Sequence, residues 1–100
     1  MVYKVVASKA GLKKNKFEFS FPGEDVVYSV PKVEFLPPWL ISAIGDDMNK
    51  VQVAKVVLDA FFDFDVLKKF EDAVQLGEWF EAWQAASGVT VGESSASENS

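Results

Sequence analysis

The sequence predicts one α+β domain over residues 1–88: a small N-terminal antiparallel sheet of about three strands, then about three helices. A flexible, Ser-rich acidic tail over 89–100 completes the chain. Three observations carry this reading. Apolar residues alternate at period two as far as Val30, after Pro38 they recur at helical spacing, and beyond Trp83 no aromatic residue follows.

Each element has its local reason. Val2 to Ala7 is a β-branched stretch that suits a first strand, and Ser8 to Asn15, with Gly11 and clustered lysines, reads as a loop. Lys16 to Phe21 alternates strictly, Phe17, Phe19 and Phe21 against Glu18 and Ser20. Pro22-Gly23-Glu24-Asp25 supplies turn chemistry, and Val26, Tyr28 and Val30 repeat the alternation, so a hairpin is predicted. Pro31, Pro37 and Pro38 end strand pairing, and Pro38 suits the first turn of a short helix that closes near Gly45. Asp46 or Asp47 can cap a helix from about Met48 to Phe62. Asp63 or Asp65 can cap a single last helix that runs to Ala86 or Ser87 and stops at Gly88. From Gly92 onward nothing offsets the entropy of ordering.

Composition excludes much chemistry. The 100 residues include neither cysteine nor histidine, which removes thiol nucleophiles, zinc–thiolate sites and the commonest general base. No catalytic residue, metal site or cofactor is therefore expected. Every basic residue is a lysine, and the net charge is −5, so nucleic acid and anionic membranes are not expected partners. No apolar run approaches the roughly 20 residues of a membrane span, and the N-terminus lacks the apolar core of a signal peptide. Residues 1–20 hold five lysines against Glu18, whereas the remainder holds five lysines against fourteen acids, giving +4 and −9. Such asymmetry reads either as a lysine-rich solvated loop that keeps an edge strand from aggregating or as a head-to-tail electrostatic match between protomers or with a partner.

Two faces could carry binding. On the middle helix Val51, Ala54, Leu58, Phe61 and Phe62 form a core stripe, while Val53, Val56 and Ala60 form a second apolar strip. The second strip is either buried within the domain or a self-association surface. On the last helix Val66, Phe70, Ala73, Val74 and Gly77 share one face, suited to packing on the sheet. Leu76, Trp79, Phe80 and Trp83 share a face rotated away from it. These four either wrap the core or form an outward partner-binding surface, since exposed aromatic patches mark protein–protein sites. The acid pairs Asp63/Asp65 and Asp46/Asp47 lack the rest of a calcium loop and read as helix caps. Ser94, Ser95 and Ser97 have no histidine to activate them.

The run Trp83-Gln84-Ala85-Ala86-Ser87-Gly88, followed by Gly92-Glu93-Ser94-Ser95-Ala96-Ser97, resembles the end of the tail assembly chaperones of siphophages and prophages of actinobacteria. Phe17-Glu18-Phe19-Ser20-Phe21 and the exit Tyr28-Ser29-Val30-Pro31, with helices after them, fit the same order of elements. The resemblance spans most of the chain and is sharpest at its C-terminal end. It implies the short, pre-frameshift product of such a gene, an oligomer in the host cytoplasm that is absent from the mature virion. Its implied role is to bind the tape-measure protein and keep it soluble while subunits of the tail tube protein assemble. The alternative is a small structural head–tail or tail-completion protein retained in the virion.

Overall fold

In the computed structural model, which describes residues 2–88, an antiparallel hairpin packs on a layer of helices. Strand β1 (Lys16–Phe19) pairs with β2 (Tyr28–Pro31), Phe17 opposite Val30 and Phe19 opposite Tyr28. Phe17 and Phe19 turn toward the core while Glu18 stays exposed, as the alternation predicts. The turn is set by Pro22-Gly23: Gly23 takes φ 80°, and the Glu24 N–H donates to the Phe21 carbonyl at 3.1 Å. A proline followed by a residue at positive φ is the signature of a type II turn. Pairing ends sooner than the sequence suggests, since Val26 and Val27 lie exposed between turn and strand.

The expected third strand is absent: the described sheet has two strands, and Val2 to Ala7 has no regular secondary structure and joins neither. Its apolar residues fall on both faces, with Val5 and Val6 adjacent, so no single face is offered for burial.

Helix α1 (Pro38–Ala43) begins on Pro38, as predicted. Helix α2 (Lys50–Phe61) is capped by Asn49, not by Asp46 or Asp47. The Asn49 side chain accepts from the Gln52 N–H, and the Gln52 side chain accepts from the Asn49 N–H, both at 2.9 Å. This reciprocal box satisfies two donors that a single aspartate would leave half served.

The last helix is not continuous. One turn, α3 (Phe64–Leu67), is capped by Asp63 and followed by a break, and α4 (Ala73–Ala86) then starts anew. Asp72 restarts it by accepting from the Gln75 N–H at 2.8 Å, while Gln75 Oε1 accepts from the Glu71 N–H at 2.7 Å. The Asp72-x-x-Gln75 spacing is a helix-start signal that the single-helix reading passes over. Helix α2 packs chiefly on α4, with Gly77 buried where the aliphatic stem of Lys50 crosses it. Lys50 then reaches Glu81 at 2.7 Å. The flexibility expected of residues 89–100 lies outside the described residues.

Candidate interaction surfaces

The restart at Asp72 fixes which face of α4 points inward. Leu76, Trp79, Phe80 and Trp83 are buried, with Trp83 wholly so. Val74, placed at the sheet by a continuous helix, is instead 70% exposed. The four predicted partner-binding residues are thus brought together, but as core and not as an outward surface. Two turns that appear continuous in sequence belong to two helices, so the rotational phase read from Val66 and Phe70 does not carry past Glu71.

Trp83 sits at the centre. Its ring stacks on Trp79 at 5.6 Å and meets Phe80 at 5.7 Å, and its Nε1–H donates to the Pro31 carbonyl at 2.9 Å. A buried tryptophan usually finds such a partner for its indole N–H. Further bonds tie the end of α4 to the segment after β2. Ser87 Oγ donates to the Trp83 carbonyl at 2.8 Å and accepts from the Val33 N–H at 3.0 Å. The Gly88 N–H donates to both Glu34 carboxylate oxygens, at 3.0 and 2.8 Å. A Cβ at position 88 would collide with that carboxylate, so the glycine allows a close approach. The run from Trp83 to Gly88 is therefore a lock between helix and hairpin.

The proposed self-association strip on α2 is also largely internal. Val53 is buried, and Val56 and Ala60 are half-buried against the core. Val57, lying between the two stripes, is wholly buried, which joins them into one broad packed face.

The apolar side chains that remain outside lie elsewhere. Trp39 on α1 is 62% exposed and Phe64 is 67% exposed, with Lys68 Nζ 5.6 Å from the Phe64 ring centre. Sequence reasoning missed Trp39. The signal was its place before the buried pair Leu40-Ile41, since a helix turns successive residues by about 100°. Val2, Tyr3, Val5 and Val6 are exposed along the N-terminal arm.

A cleft of about 260 Å³ opens between the end of β1 and α4, walled by Phe19, Phe21, Phe70 and Trp79 with Gln75 and Glu78 beside them. Trp79 Nε1 is buried without a hydrogen-bond acceptor. Phe17, Phe19 and Phe70 stand edge-to-face against the Trp79 ring, the type of geometry in which an N–H can meet an aromatic face. Below the hairpin turn, Lys69 pairs with Glu24 at 2.7 Å, and this hydrogen bond raises the lysine above its ordinary pKa despite some desolvation. Comparison of the chain with protein-family models, with curated proteins and with solved structures gives no match.

Proposed function

We propose that this chain is a phage tail assembly chaperone, which binds the tape-measure protein in the host cytoplasm and keeps it soluble while tail tube subunits assemble. The observation that carries this reading is the resemblance of the run from Trp83 to Gly88, with Gly92 to Ser97 after it, to the ends of such chaperones. An acidic chain without cysteine or histidine suits binding without chemistry. With α4 folded inward, capture falls to apolar side chains that stay outside, and Trp39 is the largest of them. An aromatic anchor of this kind contributes about 2 kcal/mol, roughly thirtyfold in affinity.

The test is co-expression with a tape-measure protein, read as the soluble fraction of that protein and by pull-down, together with the protein content of purified virions. The expected result is a larger soluble fraction, capture that Trp39→Ala weakens without a change in melting, and no copy of the chain in virions. A chain retained in the particles would instead favour the structural head–tail or tail-completion role. An unchanged soluble fraction with no capture would overturn the chaperone reading.

A further inference from the structure

The two edges of the hairpin are not equivalent. The Lys32 N–H donates to the Asn15 carbonyl at 3.0 Å, so Asn15 and Lys32 form a hydrogen-bonded pair. In the observed register the next such pairs are Phe17 with Val30 and Phe19 with Tyr28, because bonded and non-bonded pairs alternate. The backbone groups of Glu18 therefore point outward from β1, and those of Ser29 and Pro31 outward from β2. The β2 edge is blunted: Pro31 has no N–H, and its carbonyl is taken by Trp83. On the β1 side the described sheet simply ends, with Glu18 and Ser20 exposed.

The chain also carries a strand-prone segment that the described sheet leaves out. Val2, Tyr3, Val5 and Val6 are 85%, 79%, 87% and 71% exposed in an unpaired arm of strand-forming residues. Just after it, the Lys9 carbonyl accepts from the Leu12 N–H at 3.1 Å and from Asn15 Nδ2 at 2.9 Å. The Asn15 N–H bonds in turn to the Leu12 carbonyl at 2.9 Å. This compact turn sits directly before β1, and the arm leaves from it without pairing to its own strand.

We propose that a second copy of this chain supplies the missing strand, its Val2–Ala7 arm adding antiparallel to the outer edge of β1 with Lys4 opposite Glu18. That register lets the backbone of Lys4 exchange both hydrogen bonds with Glu18 and sets the opposite charges side by side. It places Tyr3 beside Phe19 and Val5 beside Phe17, on the face that looks toward the core. Phe19 is also a wall of the aromatic cleft, so Tyr3 arrives next to a space lined by Phe21, Phe70 and Trp79, with Glu78 beside it. Strand addition of this kind draws affinity from main-chain bonds and selectivity from alternate side chains.

The experiment is sedimentation velocity on the full chain over a concentration series, with amide exchange read at residues 2–7. Self-association with protected arm amides is expected. Lys4→Pro, which removes the N–H aimed at Glu18, should weaken association at least tenfold while leaving the melting of the dilute protein unchanged. Glu18→Lys should weaken it as well, and combining Glu18→Lys with Lys4→Glu should restore it. A monomer with fast-exchanging arm amides overturns the proposal. A monomer with protected arm amides also overturns it, since the arm would then pair within its own chain. Association that Lys4→Pro leaves untouched overturns it too, and assigns self-contact to another surface.

Discussion

The two ends of the described chain treat their apolar residues in opposite ways. At the C-terminal end, Trp83 is wholly buried, its indole N–H is satisfied by Pro31, and Ser87 and Gly88 bond to Val33 and Glu34. At the N-terminal end, Val2, Tyr3, Val5 and Val6 are apolar too, yet they lie open to solvent and unpaired. Apolar character alone is thus not enough for burial. The difference is periodicity. The side chains of α4 recur at helical spacing and form one face that the hairpin and α2 can cover together. Those of the arm would fall on both sides of a strand, and a lone strand can bury neither side without a partner.

The largest test of this contrast is Trp83→Ala. Removing a wholly buried indole and its bond to Pro31 should cost about 3–5 kcal/mol in urea unfolding. A loss below 1 kcal/mol would mean that the end of α4 is not a lock.

Ser87→Ala is a milder break. It leaves the Val33 N–H without its acceptor, and about 1–2 kcal/mol of unfolding free energy should be lost. Thermal melting of the variant beside the parent protein reads it directly.

Lys69 sharpens the picture at the hairpin turn, between the two ends. Its pKa is raised in the folded state, chiefly by the hydrogen bond to Glu24, so the folded chain holds that proton more tightly than the unfolded one. The contribution is fully present below the ordinary lysine value and is lost as pH rises through the raised folded value. A pH series of melting temperatures should show a shallow alkaline fall, and Glu24→Gln should flatten it.

The smallest effect belongs to the arm. Val5→Ser, measured in dilute protein, should change unfolding free energy by no more than about 0.5 kcal/mol, because Val5 touches little in the single chain. A larger loss would place the arm inside the domain and erase the contrast.

Local signals alone were enough for much of the fold. The alternation around Pro22-Gly23 specified the hairpin, Pro38 opened α1, and the valine- and alanine-rich stretch after Asn49 specified α2. Each depends only on neighbouring residues, because backbone preference and side-chain period are properties of a short segment. The surfaces were less legible. Whether Leu76, Trp79, Phe80 and Trp83 face inward depended on where α4 begins, and a capping bond at Asp72 settles that. Whether Val2–Ala7 joins the sheet depended on whether the folded domain offers it a face to bury, and the described sheet ends at β1 without it. The sequence by itself determined the hairpin, α1 and α2, and its lack of cysteine and histidine leaves no thiol or imidazole chemistry, but it did not show the break before α4 or the unpaired state of Val2–Ala7. Only the tertiary structure decided which aromatic residues are core and which face solvent. Burial is a relation between segments far apart in the chain, and no local pattern contains both partners.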